Sequence, residues 1–261
     1  EFVKKILQNS NHHLINDFQS SNKFYNFVNK INNINLNNPV TIVDKVFAYN
    51  TEKETLQTFS YIQNNVVDNP RVYIYSTHPT EAYLGERLDG YNLGNNVILA
   101  SVILQEKLNA MGIYTVVEER SAADYIKEHN LLYSESYQAT RTFLKDKLKD
   151  NKFDLIIDLH RDAIPRNLSI TTINNKTYAK IMFVQNKNYK DNMNIATKLN
   201  NILKENYPTI SRGIYDQFRN DFNQDLNGNV VLLELGSNNN QIEEILNTID
   251  ALALSIGELL K

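Results

Sequence analysis

A chain of 261 residues with a formal charge of −3 at neutral pH is long enough for one sizeable core, and it offers no basic face for a nucleic-acid backbone. Its lack of cysteine excludes a thiol nucleophile, a cysteine-bound zinc and a disulfide framework. No run approaches the roughly eighteen apolar residues of a membrane helix, and no signal peptide is evident, but the chain begins at Glu1 rather than Met, so it reads as a fragment from which a targeting or anchoring segment could have been removed.

Residues 1–70 read as a small, mainly helical extension. Phe2, Ile6, Leu14, Phe18, Phe24 and Phe27 recur at roughly helical spacing until the breaker Asn37-Asn38-Pro39. A strand over 40–49 and a helix over 51–67 follow, closed by Asp68-Asn69-Pro70. His12 and His13 are adjacent, and neighbours on a helix diverge by about 100°, so they read as surface histidines.

The main domain, 71–261, opens on RVYIYSTHPTEAY, an apolar run that ends abruptly in polar residues. A helix is predicted over 94–111, with Gly112 in the position that left-handed caps favour. A strand over 113–117, a short helix from Ser121, a helix over 134–149 and a buried strand over 153–159 follow. Segments 169–173 and 178–184 flank Asn174-Asn175 as a hairpin. A helix over 191–205, a last strand over 230–235 and a closing helix over 241–260 complete the pattern. Strands alternating with long helices predict an α/β fold: a mostly parallel twisted sheet with helices on both faces. In such sheets ligands bind beyond the carboxyl ends of the strands.

Three apolar runs carry polar residues at or near those ends. His78 and Glu81 form H-x-x-E after the first strand, His160 ends DLIIDLH, and Glu234 stands inside VVLLEL. Two histidines and a carboxylate are the donor set of many catalytic zinc sites, which leave a fourth position open. Asp158, on the same strand face as His160, is either a further ligand or an acceptor for an imidazole N–H. Arg161 follows His160 and is placed to stabilise a developing oxyanion, or to pair with Asp162 at the surface. A carboxylate inside an apolar strand is costly unless it is employed, so Glu234 reads as a general base, or as a structural group held by the Arg212-Gly213 turn. Asn223 and Asp225, within FNQDLNGN, either line the cleft or form a turn. No G-x-S-x-G, G-x-G-x-x-G or G-x-x-x-x-G-K-[ST] motif supports a serine hydrolase, a dinucleotide enzyme or a P-loop.

Taken in order, THPTEAY, DLHRDA, YAKIMFV, SRGIYDQ, NQDL and LLELGSNNNQIEE resemble the stage II sporulation protein P family, over nearly all of 71–261. That family belongs to the zinc-dependent N-acetylmuramoyl-L-alanine amidases. The resemblance implies a Zn2+ enzyme that cleaves peptidoglycan between N-acetylmuramic acid and L-alanine during engulfment. It also implies an extracytoplasmic protein at the sporulation septum, anchored through a segment absent here. By motif match His78 and His160 take the histidine positions and Glu234 the catalytic one. General amidases place the carboxylate ligand at a helix start, where this chain has Asn92, Asn95 and Asn96. Glu81, which stands in the family's THxTE pattern, is by that resemblance the better candidate, with Glu86 or Asp89 as the fallback. Some members are credited with endopeptidase cleavage, and the usual partners are stage II sporulation proteins D and M.

Two alternatives remain open on sequence. A zinc carboxypeptidase uses the same order of ligands and needs a cationic pocket, for which Arg161, Arg166 or Arg212 qualify. A wall-binding scaffold without catalysis needs none of this chemistry.

Overall fold

The computed structural model describes residues 71–84 and 95–261. The expected extension over 1–70 lies outside the described residues, as do Glu86 and Asp89. In chain order the first half contains β1 (Val72–Tyr75), α1 (Val97–Ala110), β2 (Thr115–Val117), α2 (Ala122–Glu128), a 3-10 turn at Tyr133–Glu135, α3 (Ser136–Asp150) and β3 (Leu155–Asp162). The second half contains α4 (Arg166–Ser169), β4 (Ile170–Ile173), β5 (Lys176–Ala179), β6 (Ile181–Asn186), α5 (Lys190–Asn206), β7 (Ser211–Gln217), β8 (Val230–Ser237) and α6 (Ile242–Leu259).

Local chemistry explains the boundaries. The Asn96 side chain accepts the Leu99 N–H and starts α1, and Gly112, at φ +76°, ends the turn that follows it. Ser121 caps α2 in the same way through the Asp124 N–H. Asn174 and Asn175 both take positive φ, which suits the tight turn joining β4 to β5.

Six strands form one sheet in the order β2-β1-β3-β8-β6-β7, while β4 and β5 form a separate hairpin. β1, β2, β3 and β8 run parallel, β6 runs antiparallel to β8, and β7 is parallel to β6. The mostly parallel α/β architecture expected from the alternation is thus present. β6 reverses direction for a topological reason. Only α4 and the hairpin separate it from β3, and neither is the long crossover that a parallel return requires.

Two expectations are corrected. The run over 178–184 is two strands, because Lys180 separates β5 in the hairpin from β6 in the main sheet. SRGIYDQ, read as a turn at Arg212-Gly213, is the edge strand β7. Its outer flank pairs with no strand of the sheet and Tyr215 is exposed, so it carries no covered-strand pattern.

Each central strand splits its side chains between two faces. Val72, Ile74, Leu155, Ile157, Leu159, Val231, Leu233 and Leu235 join the larger core with Leu104 of α1, Leu199 of α5 and Ile249 of α6. Tyr73, Tyr75, Ile156 and Val230 pack with Leu144 of α3 on the opposite face. Along that second face the strands turn polar toward their carboxyl ends, where Asp158, His160 and Glu234 follow Ile156 and Leu232 at the same alternation. Register sets His160 directly beside Glu234 and Tyr75 beside Asp158.

Candidate metal centre

The last residues of β1 and β3, the loop after β1 and the start of α3 meet at one end of the sheet. The His78 and His160 rings stand edge to face, with centroids 5.3 Å apart and planes at 80°. The Glu81 Oε2 atom lies 3.4 Å from His160 Nδ1, and Glu234 adjoins His160 on the next strand. The four residues picked out by their placement at strand ends therefore converge.

The H-x-x-E loop is tied to β3 through its neighbour. The Arg161 main-chain N–H donates to Glu81 Oε2 at 2.9 Å, and the Arg161 guanidinium donates to the Ala82 carbonyl at 3.1 Å. The guanidinium also reaches the Asp162 carbonyl at 3.4 Å. Arg161 is thus engaged with main-chain oxygens, a position that fixes the loop bearing Glu81. Losing such an outer support generally costs ten- to a hundredfold in metal affinity. Arg161→Ala keeps the main-chain N–H to Glu81 and removes the guanidinium from the Ala82 carbonyl, and if the centre holds zinc the variant is expected to bind it roughly tenfold more weakly, measured by competition with a chromogenic chelator. Unchanged affinity would show that the loop holds itself.

Beneath the histidines lies a buried polar floor. Asp158, fully buried, accepts the Thr77 N–H at 3.0 Å and the Thr77 hydroxyl at 2.8 Å. Thr77 meets the Thr140 hydroxyl of α3 at 3.0 Å, and Asn223 donates to that same hydroxyl at 3.2 Å. Asp158 Oδ1 also lies 3.0 Å from His160 Nε2, although the ring N–H direction misses it.

These neighbours set the charges. Burial opposes a charged His160, but the Asp158 and Glu81 carboxylates outweigh it and hold the imidazole pKa well above its ordinary value. Burial would raise Glu81, yet His160 and the Arg161 N–H hold it below the usual carboxylate range. His78 is pushed the other way, by burial first and the His160 charge second, which keeps it neutral. Burial pushes Glu234 up to about 7, helped by Glu81, Asp162 and Asp158 against the opposing pull of His160. One carboxyl near neutrality beside one ionised carboxylate is the division of labour that acid-base chemistry needs.

The residues fit a metal in their chemistry. His78 Nδ1, His160 Nε2 and Glu234 Oε2 are buried atoms without a hydrogen-bond partner, and buried polar atoms in folded proteins are nearly always satisfied. The two imidazoles supply nitrogen donors of the type zinc prefers, and the carboxylate donor would be Glu81, whose Oε2 already accepts the Arg161 N–H, with the unpartnered Glu234 Oε2 left for the proton. Among the described residues no group of three His, Cys, Asp or Glu side chains is placed as it stands to hold a metal ion.

The remaining candidates sit around this centre. Asn223 is 3% exposed and belongs to the floor through Thr140. Asp225 makes a two-pronged pair with Arg141 of α3 at 2.8 and 2.6 Å. Arg212 reaches the Asp162 carboxylate at 2.5 Å, on the rim beyond β3. Of the asparagines that stand where general amidases have a carboxylate, Asn96 is engaged as the cap of α1.

Sequence reasoning missed the aromatic and hydroxyl residues contributed by α3 and the turn before it. Tyr133 stacks on His78 at 4.7 Å and 23°. Tyr137 lies 6.4 Å from His160 at 16° and meets His78 edge-on. One signal was available: a helix that follows a parallel strand begins at that strand's carboxyl edge, so the residues opening α3 had to stand near the site.

Comparison with known proteins gives a consistent picture. The family described as stage II sporulation protein P matches residues 2–257. Stage II sporulation protein P of Bacillus subtilis strain 168 is 32% identical over 206 residues, which cover 74% of this chain and 51% of the relative. This chain thus spans about half the length of that relative. Among solved structures, the CwlD amidase from Clostridioides difficile, determined in complex with the GerS lipoprotein, aligns at a TM-score of 0.52 and 14% identity. That alignment covers 73% of this chain and 98% of the amidase, and at such identity it speaks for an amidase-like fold alone. The N-acetylmuramoyl-L-alanine amidase AmiC2 of Nostoc punctiforme aligns over 73% of this chain and 97% of that one, at 13% identity and a TM-score of 0.43, too low to carry an argument.

Proposed function

We infer the activity from one premise: the chain belongs to the stage II sporulation protein P family. On that premise it is a zinc-dependent N-acetylmuramoyl-L-alanine amidase, acting on peptidoglycan in the sporulation septum. The observation that carries the reading is the convergence of His78, Glu81 and His160 with a carboxyl group, Glu234, poised near neutrality.

His78, His160 and Glu81 would hold the metal. Zinc bound there supplies a Lewis acid for the scissile carbonyl and lowers the pKa of water. Glu234 takes the proton from the attacking water and returns it to the leaving amine nitrogen of L-alanine, a task suited to a carboxyl group standing beside His160 on the next strand. Arg161 holds Glu81 in place, and Asp158 with Thr77 and Thr140 keeps the floor rigid. The catalytic domain spans 71–261, with the preceding residues outside the chemistry. Among the described residues no helix is long and apolar enough to cross a membrane. Stage II sporulation proteins D and M are the proposed partners, with the protein anchored outside the cytoplasm.

Digestion of purified sacculi followed by mass spectrometry tests this reading. An amidase frees intact stem peptides from the sugar. Single amino acids trimmed from peptide ends would instead identify a carboxypeptidase, and binding without solubilisation would identify a scaffold.

A further inference from the structure

On the β1 side of the centre the turn Leu132–Glu135 presents two large apolar residues to solvent, Leu132 at 69% and Tyr133 at 58% exposure. Exposed aromatics are commonly mobile, but this one is fixed. The Glu135 carboxylate accepts the Leu132 N–H at 2.8 Å, and Ser136 Oγ donates to the Tyr133 carbonyl at 2.6 Å. The Tyr133 hydroxyl meets Thr80, and one face of its ring lies on His78. A planar ring with one face on His78, high exposure and a locked backbone is preorganised to receive a flat apolar surface.

The opposite lip has different chemistry. There Arg212 stands with Asp162, and Arg166 with Glu244. A charged rim suits a peptide bearing carboxylates, whereas a neutral aromatic lip suits the C–H face of a sugar ring. The scissile bond of the proposed substrate joins those two kinds of group.

We propose that Tyr133 is a sugar-binding platform, stacking against a pyranose ring of the glycan strand and thereby orienting the substrate with its sugar over β1 and its stem peptide toward Arg212. The proposal rests on the amidase reading for the identity of the substrate. Tyr133 then determines affinity for glycan and leaves the metal alone. A purely structural role, supporting His78 by stacking, would alter metal binding instead.

The test uses zinc-loaded protein and glycan strands of N-acetylglucosamine and N-acetylmuramic acid stripped of peptide, which cannot be cleaved. Affinity is measured by calorimetry for wild type, Tyr133→Phe and Tyr133→Leu, and zinc affinity is measured in parallel. Tyr133→Phe should stay within about twofold, while Tyr133→Leu should lose about five- to tenfold, the effect of one aromatic stacking contact. Zinc affinity should not change, and KM for a stem-bearing muropeptide should rise with kcat nearly constant. A wild type that frees stem peptides yet lacks glycan affinity, or binds glycan equally well after Tyr133→Leu, overturns the platform and leaves the amidase reading standing. Glycan affinity that falls only together with zinc affinity also overturns it. A wild type that frees no stem peptides but binds glycan through Tyr133 overturns the amidase reading alone.

Discussion

Glu234→Gln is expected to lower peptidoglycan cleavage roughly a thousandfold, within the range supplied by a positioned acid-base group, while zinc stays bound at wild-type affinity. The same substitution should stabilise the metal-free protein. The folded-state pKa of Glu234 is raised from 4.5 to about 7, chiefly by burial. Between those values the folded protein keeps a proton that the unfolded chain gives up, so stability falls as pH rises through this window. Glutamine does not ionise. The variant should therefore match wild type near pH 4.5 and exceed it above pH 7 by up to roughly 3 kcal/mol. Urea denaturation of metal-free protein at pH 5 and pH 8 reads this difference. Equal stability at both values, or a loss of zinc, would remove Glu234 from the proposed role and make it a structural group.

Asp158→Ala should be among the most damaging single changes in the domain. The carboxylate is fully buried, takes two hydrogen bonds from Thr77 and lies 3.0 Å from His160. Its removal leaves the Thr77 main-chain N–H without an acceptor in the interior and takes away the foremost group that raises the His160 pKa. Breaking such a buried constellation costs about 3–5 kcal/mol. Asp158→Asn keeps an acceptor for Thr77 and should fall between the two. The readout is again the urea midpoint of metal-free protein, and a cost for Asp158→Ala below about 1 kcal/mol would contradict the floor described above.

His78, Glu81, His160 and Glu234 were legible in the sequence for a definite reason. Strands covered on both faces are almost wholly apolar, so a polar residue within or just beyond one stands out. Parallel strands also bring their carboxyl ends to one edge, which makes the convergence predictable before any contact is known. The floor was harder to read. Thr77, Thr140 and Asn223 come from a strand end, a helix and a loop far apart in the chain, and their residue types are common in turns and helices everywhere. Asn223 was singled out for its neighbourhood, but its burial under Thr140 depends on how the loop before β8 folds back. Beyond its place just before α3, Tyr133 carries no pattern of its own, since an exposed aromatic in a turn looks like surface. β7 escaped notice because an edge strand with arginine and glycine at its start lacks alternation. Arg161 was visible as a charge beside a histidine, while its attachment to the Ala82 carbonyl needed the loop's path in space.

The proposed centre is one zinc ion held by His78, Glu81 and His160 together. Crystals of the protein soaked with zinc, measured at the zinc absorption edge, test it most directly. A single anomalous peak is expected between the two imidazole rings, within about 2.0–2.2 Å of a nitrogen from each and of a Glu81 oxygen, lost in His160→Ala. A protein that frees stem peptides while its only zinc peak lies elsewhere, or one whose peak survives His160→Ala, would contradict it.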